Sequence, residues 1–495
     1  MTTDILQQVE AQNDTAPASC PNRFWDGIVS NLAKREKSQQ DDSVIVRYYA
    51  GIDKAQKLLE SQSTGENRPL FEPARSLPPL SNDLCTFYEP AKMRIVPIGE
   101  YKGISLKLFD LAMDPTTNTT KTLPSLLMIG RAIQHIRSTG EKLLILVTTS
   151  GNKGTALRSA VERAIRLGLV TKEQLRIVTI VPKSSTHKLR ASGLTSDPEL
   201  AVLNPIAVYQ GESSAKLKLI GSEFQKRYSD QSYANSNTRI WYSLNLDNYR
   251  VADAARAYYE YEYLAKTDNL EADNVRLHVH SVSSAYGFLG YHLGRSVLVN
   301  EGVTRWASNP GYFLVQHLQT SDMVLHTYYG DFDRQNMPTY TMDDSTGIYK
   351  QGSDIHFPLR TLDPNENLDA TFYTKEPPTA PTMSKMIRQF GGGGIVVSLL
   401  ECMERYPLIR AMLKNTGIDM PGDPRKITEW ALIMAMTGVM EAIDRQIIAG
   451  RTEITIQSSG FYVAGTHYEP LCENTLPSID DHQPFDALER LVNMA

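Results

Sequence analysis

The sequence predicts an α/β fold of parallel or mixed sheets flanked by helices, spread over more than one domain. Three observations carry this. The chain has 495 residues, and a single core stops growing at about 250–300 residues, so two or three domains are expected. Hydrophobic residues make up 41% and charged residues 22%, enough apolar material for most of the length to fold. From residue 93 onward, fully apolar runs of strand length alternate with helical patterns, and strands apolar on both faces imply parallel pairing under helices.

Residues 1–90 read as an appended N-terminal segment, partly ordered. It has one helix around FWDGIVSNLAKREK and a proline-rich linker, PARSLPPLSND. ISLKLFDL then alternates as a strand, and LPSLLMIGRAIQHIRS has helical apolar spacing. LLILV is a buried strand followed by the helix TALRSAVERAIRLG, and LRIVTIVP is a strand closed by its proline. IAVYQG is a short strand before the helix SSAKLKLIGSEFQKRY, which completes a β-α-β-α-β-α unit over 103–228. RVADAARAYYEYEYLA reads as a helix, LHVHSV as a strand and YGFLGYHLGR as a helix. Residues 330–390, rich in Asp, Asn, Pro, Thr and Tyr, read as a long irregular insertion. EWALIMAMTGVMEAIDRQI is a buried helix, and EITIQSS is the last strand.

Charge and cysteines exclude several classes. The formal net charge of −5 gives no electrostatic footprint for nucleic acid. No run approaches the roughly 18 apolar residues of a membrane span. MTTDILQQVEAQNDTAPASC lacks the basic and apolar regions of a signal peptide, and Cys20, Cys85, Cys402 and Cys472 form no CxxC pair. A cytoplasmic protein without a disulfide framework or structural zinc is expected.

The richest stretch is TTSGNKG, Thr148–Gly154, a small polar turn between a buried strand and a helix. A phosphate-binding P-loop needs GxxxxGK[ST], and the spacing fails. Ser150 and Lys153 fit SxxK, but no KTG triplet accompanies them. An ordinary helix cap by Thr149 or Ser150 is the plain reading. The fourth reading follows from what such a turn offers: free backbone N–H groups that an anion can approach closely. Strand, SGN-x-G and helix together resemble the asparagine loop of fold-type II pyridoxal-phosphate enzymes, the group of tryptophan synthase β and threonine synthase.

Other segments extend the resemblance in the same order, over about 93–465. SLKLFDLAMDPTTNTTKTLPSLLMIGRAI resembles the segment that carries the cofactor lysine, placing Lys121 in that role. A lysine there attacks an aldehyde when its surroundings lower its pKa. LHVHSVSSAYGFLGYHLGR resembles the cofactor-phosphate loop, with Ser283, Ser284, Ala285, Tyr286 and Gly287 in the turn. A rival for that task is FGGGGIVVSLL, with Gly391–Gly394. WYSLNLDNYRVADAARAYYEYEYL resembles a threonine-synthase helix, and the resemblance implies that Ser243, Asn245 and Arg250 bind substrate beside Thr149, Ser150 and Gly151. FYTKEPPTAPTMSKMIRQFGG resembles a stretch leading to the substrate lobe. EITIQSSGFY resembles the last strand, whose hydroxyl faces the pyridine nitrogen; Ser458 takes that place, with Ser459 next to it.

The resemblance implies a two-lobed fold-type II enzyme. Residues 91–124 and 236–495 would form the large cofactor-binding lobe and 125–235 the small lobe. The implied cofactor is pyridoxal 5′-phosphate, with Lys121 catalytic and Asn152 beside the ring. The implied chemistry is that of a lyase or transferase: β- or γ-elimination or replacement on an amino acid, in a homodimer. Shifted spacings and the changed phosphate turn point to a specialised enzyme of secondary metabolism. The alternatives are a threonine-synthase-like fold that binds a ligand or partner without catalysis, and a serine hydrolase through Ser150 and Lys153. His278, His280 and His292 lack a carboxylate placed to complete a metal site, so no metal is expected.

Overall fold

The computed structural model describes residues 43–62, 70–211, 214–243, 247–267, 276–306, 309–370, 374–458, 460–472 and 476–494. The helix expected around FWDGIVSNLAKREK lies outside the described residues. The strands in chain order are β1 (Arg94–Tyr101), β2 (Ile104–Asp110), β3 (Lys142–Thr148), β4 (Leu175–Pro182), β5 (Ile206–Tyr209), β6 (Thr238–Tyr242), β7 (Arg276–Ser281), β8 (Gly311–His317), β9 (Thr341–Asp343), β10 (Ile348–Lys350), β11 (Arg360–Thr361), β12 (Gly392–Val397), β13 (Glu453–Gln457) and β14 (Ser478–Ile479). The chain divides into two compact units. Among the described residues, the first holds 93–113 and 256–463, and the second holds 43–92, 114–255 and 464–494.

The first unit is built on a six-stranded sheet in the order β1-β2-β13-β7-β8-β12. β1 pairs antiparallel with β2, and the other neighbours are parallel. Every residue of β7 and β8 is buried, as strands covered on both faces must be. The helix Ala431–Asp444 packs on β7, β8 and β12. Gly438 permits this contact, because a Cβ there would meet Val315 Cγ2 at 2.6 Å.

The insertion at 330–390 is more regular than its composition predicts. β9, β10 and β11 form a small antiparallel sheet, whose first hairpin turns through Gly347 at φ 68°. The helix Ala380–Phe390 buries Met383, Met386 and Ile387 on one face. Its one proline, Pro381, suits a first turn, where no N–H is needed.

The second unit has an all-parallel sheet in the order β14-β5-β4-β3-β6. Leu143 to Val147 on the interior strand β3 are fully buried. The helix Thr122–Thr139 precedes β3 and ends at Gly140, which is left-handed at φ 72° and donates its N–H to the Ile136 carbonyl, a cap glycine makes without strain.

The units' bounds depart from those expected. β2 lies in the first sheet while β3, β4 and β5 lie in the second, so the apparent unit over 103–228 divides at 113/114. The second unit gains 236–255, because β6 pairs with β3, and 464–494, because β14 pairs with β5. Residues 43–62 and 70–92 belong to it as well. Tyr88, fully buried, fills the space that a Cβ on Gly130 would take, and Arg163 binds the Phe87 carbonyl at 3.0 Å. Among the described residues no helix is long and apolar enough to cross a membrane.

Candidate active site

The two larger sheets each have a place where the strand order reverses, and several residues singled out in the sequence follow the strands that meet there. In the second unit the chain runs from β3 to β4 and β5, then returns to β6 on the other side of β3. The turn Thr149–Lys153 follows β3, and Ser243 follows β6. In the first unit the chain runs from β7 to β8 and β12, then returns to β13 on the other side of β7. The turn Ser283–Gly287 follows β7, and Ser458 follows β13. The crevice beyond the carboxyl ends of strands at such a reversal is where open α/β sheets bind ligands.

In the second unit, Lys121 heads the helix Thr122–Thr139 and closes a hydroxyl-rich loop. The buried Asp114 carboxylate accepts from the Thr116 N–H at 3.1 Å and the Thr117 hydroxyl at 3.0 Å. Thr117 and Thr122 join their hydroxyls at 2.6 Å, and Thr122 donates to the Thr119 carbonyl at 2.9 Å. Arg190 binds the Thr116 carbonyl at 3.0 Å and Asn118 Oδ1 at 3.1 Å. Asn118 takes a positive φ of 47°. The loop is thus fixed on both sides of the lysine.

The turn after β3 is held by Thr149, whose hydroxyl oxygen accepts the N–H groups of Gly151 at 3.2 Å and Gly154 at 3.1 Å. The N-cap itself is Gly151, which has no side chain to cap with, and Thr149 braces the turn from two residues before it. Gly151 has φ 117°, and a Cβ there would lie 3.0 Å from Lys188 Cβ; glycine alone suits both conditions. Asn152 begins the helix Asn152–Arg166, and Ser150 and Asn152 are half-buried. Lys153 donates to the Ser243 carbonyl.

Tyr249 links these pieces. Its ring centroid lies 5.2 Å from Lys121 Nζ and 5.9 Å from Lys153 Nζ, within cation–π range of both. The helix Asp247–Lys266 is anchored there by Arg131, which binds Asn248, Glu72 at 3.0 Å and the Ala74 carbonyl at 3.2 Å. Burial, then Lys121 and Lys218, push the Lys153 pKa down to about 7. Ser243 is buried, and its hydroxyl has no hydrogen-bond partner among the described residues. Arg250 lies 3.5 Å from Asp247 within its own helix turn. Asn245 lies outside the described residues.

In the first unit, Ala285 takes a left-handed φ of 53° before the helix Tyr286–Asn300. Thr379 donates to the Ser284 carbonyl at 2.7 Å, and Ser283 Oγ accepts the Thr374 N–H at 3.4 Å. A Cβ on Gly287 would meet Arg256 Nη1 at 2.6 Å, so a guanidinium lies against this turn. Arg256 Nη1 also donates to Gln457 Oε1 at 2.8 Å, and Gln457 Nε2 lies 2.9 Å from His278 Nδ1. His278 Nε2 in turn lies 2.7 Å from Glu260. Ser458 comes next, buried, with its N–H on the Phe109 carbonyl at 2.9 Å. Ser459 lies outside the described residues.

Gly391–Gly394 sit at the opposite end of their sheet, where β12 begins beside Tyr312, Phe313 and Leu314. A Cβ on Gly392 would lie 1.8 Å from the Tyr312 carbonyl oxygen. Strand packing accounts for these glycines. The histidines are likewise spoken for: His280 bonds the Gln457 carbonyl at 2.8 Å, and His292 stacks on Trp306 at 4.9 Å. Among the described residues no three His, Cys, Asp or Glu side chains are grouped to hold a metal.

Sequence reasoning missed Tyr249, Arg256, Gln457 and Arg190. A tyrosine beside Asn and Arg, or a glutamine in an apolar strand, carries no spacing signal of its own. Lys153 was visible only through the failed P-loop spacing and as half of SxxK.

These two sheets have the fold of the fold-type II pyridoxal-phosphate enzymes. A threonine synthase from Brucella melitensis, solved with pyridoxal phosphate bound, superposes with a TM-score of 0.50 at 10% sequence identity, covering 96% of this chain and 96% of that one. Threonine synthase from yeast gives 0.46 at 11% identity, covering 83% of this chain and 84% of that one. A fungal L-serine ammonia-lyase from Rhizomucor miehei gives 0.45 at 11%, covering 76% and 95%. The chain itself belongs to DUF6002, described as a family of unknown function, whose model matches residues 40–495. No curated protein matches the sequence.

Proposed function

We propose that this protein is a pyridoxal-phosphate-dependent lyase or synthase, catalysing elimination or replacement at the β- or γ-carbon of an amino acid. The observation that carries the reading is Lys121, fixed in a hydroxyl-lined loop and sharing the Tyr249 ring with the turn that contains Asn152. The donor set fits this cofactor. A primary amine suits an aldehyde, the small-residue turns at the strand-order reversals suit anionic groups, and the orphaned Ser243 hydroxyl is a buried donor that a polar ligand would satisfy.

When bound, pyridoxal phosphate supplies an aldehyde for the substrate amine and a ring that accepts electrons from the α-carbon. Lys121 is the residue to take the α-proton and return it, acting as base and then acid. Asn152 would orient the ring, and Thr149, Ser150 and Gly151 would hold the substrate carboxylate at the start of a helix. The Ser283–Gly287 turn is assigned to the cofactor phosphate, with Arg256 against it adding positive charge. Ser458, a hydroxyl in place of an acid, would leave the pyridine nitrogen unprotonated and favour elimination over transamination. Ser243 and Arg250 remain candidates for substrate contact. A specialised, cytoplasmic homodimer is the finer form of this reading.

The test is spectroscopic. Purified protein given pyridoxal phosphate should show a visible absorbance band that borohydride removes, and peptide mapping should then find a pyridoxyl group on Lys121. Protein that stays colourless, or carries the label elsewhere, would overturn the proposal.

A further inference from the structure

The chain enters the second unit for the last time at Ala464, and its next residues reach the segment that braces the lysine loop. Tyr468 donates its hydroxyl to the His187 carbonyl at 2.7 Å. The Ala191 N–H donates to the Glu469 carbonyl at 2.8 Å, and the Leu471 N–H to the Leu189 carbonyl at 3.1 Å. Between those two bonds Arg190 and Pro470 form an antiparallel bridge. Residues 468–471 are thus fastened along 187–191. Leu189 is extended and buried with Val181, Ile206 and Val208, and Leu471 packs against that cluster. Side chains of an extended segment alternate, so Arg190 projects away from the core that holds Leu189. There its guanidinium lies 4.6 Å from the centroid of the Tyr468 ring. It also donates to the Thr116 carbonyl at 3.0 Å and to Asn118 Oδ1 at 3.1 Å. Asn118 has φ 47°, an uncommon backbone that its surroundings must hold, and Lys121 follows three residues later. Arg190 and Tyr468 are each only 8% exposed, so little water weakens the attraction of cation and ring.

We propose that Tyr468 is a positioning residue for the cofactor amine: its ring fixes Arg190, Arg190 fixes the turn at Thr116–Asn118, and that turn presents Lys121. An arginine loses much rotamer freedom when it is fixed, and the buried ring is the group that holds this one over the loop. The C-terminal tail is thereby part of the site, although it comes from the far end of the sequence. The assignment of Lys121 to the cofactor rests on the proposed function; the hold of Tyr468 on the loop does not.

The experiment compares full-length wild type with Tyr468→Phe and Tyr468→Leu. Phenylalanine keeps a ring for Arg190 and gives up the bond to His187; leucine gives up both. Three quantities are read: stability in urea, affinity for pyridoxal phosphate from its visible band, and hydrogen exchange by mass spectrometry. The exchange is followed in the peptide that spans Thr116 to Lys121, whose Thr117 and Asn118 N–H groups bond the Asp114 carbonyl. Tyr468→Phe should lose stability yet keep wild-type affinity and exchange. Tyr468→Leu should bind the cofactor about tenfold more weakly and exchange that peptide about tenfold faster. Tyr468→Met, whose flexible chain fills the same space without a ring, is the second non-aromatic variant and should behave as Tyr468→Leu does. Wild-type affinity and exchange in either non-aromatic variant would overturn the proposal. So would losses that simply follow stability through all the variants, Tyr468→Phe included. Wild-type protein that takes up no pyridoxal phosphate would overturn the catalytic reading instead, and exchange accelerated only in the non-aromatic variants would then still support the hold of Tyr468 on the loop.

Discussion

Lys121 and Lys153 bring their ammonium groups to one aromatic ring, 5.2 and 5.9 Å from the centroid of Tyr249. Each therefore senses the charge of the other. Burial is the main cause of the low Lys153 pKa, and Lys121 is the second. Replacing Lys121 with Met removes a cation and keeps the chain's volume, so the Lys153 pKa should rise. NMR of dimethylated lysines, followed against pH, would measure it. A Lys153 resonance that titrates at the same pH in both proteins would show that the amines are uncoupled.

The same group makes stability depend on pH in a definite direction. The folded value of Lys153, about 7, lies below the ordinary 10.5. Between those limits the unfolded chain holds the proton more tightly, so stability rises with pH, and the cost of the charge is fully present below about 7. Urea unfolding should therefore find Lys153→Met more stable than wild type at mildly acidic pH. The difference should shrink steadily towards pH 10. A difference that is constant with pH would contradict the assignment.

Asp114 should matter to Lys121 through the loop between them. Its carboxylate accepts from Thr116 and Thr117, and Thr117 passes the contact to Thr122 beside the lysine. Asp114→Ala removes a charged acceptor from a buried place, which costs about 1–3 kcal/mol. Borohydride labelling of Lys121 should fall as the loop loosens, while Asp114→Asn, which keeps one acceptor oxygen, should fall less. Unchanged labelling in Asp114→Ala would mean that Arg190 alone holds the loop.

How far these features could be read from sequence depends on their range. LRIVTIVP reads as a strand over the span that β4 occupies, because a strand buried on both faces must be apolar throughout. The helix Ala380–Phe390 was hidden inside a polar, proline-rich stretch, although its buried Met383, Met386 and Ile387 follow helical spacing. The exchange of strands between sheets left no local mark. β2 and β3 are consecutive, yet they pair in different sheets, and only long-range pairing decides that. Lys121, Asn152 and Ser243 were legible as candidates through the resemblance of the segments that carry them. Tyr249 and Gln457 act by where the fold puts them.

Gln457 is the element of this kind with the sharpest consequence. Its Oε1 accepts from Arg256, which can only donate, so its Nε2 must donate to His278 Nδ1; His278 then offers its remaining N–H to the Glu260 carboxylate. The chain of donors has one consistent direction: it starts at the guanidinium lying against Gly287 and ends at the Glu260 carboxylate. Gln457→Leu leaves both neighbours short of a partner and should cost at least about 1–3 kcal/mol. Gln457→Glu is more informative. The new carboxylate still accepts from Arg256 but cannot donate, so the imidazole must carry a proton to bond with it. That proton is bound more tightly in the folded variant than in the unfolded chain, so the variant's stability is full at acidic pH and is lost as pH rises through the folded value. Unfolding of Gln457→Glu should therefore show an acid-shifted optimum relative to wild type. Matching pH profiles for the two proteins would show that the direction of the relay is wrong.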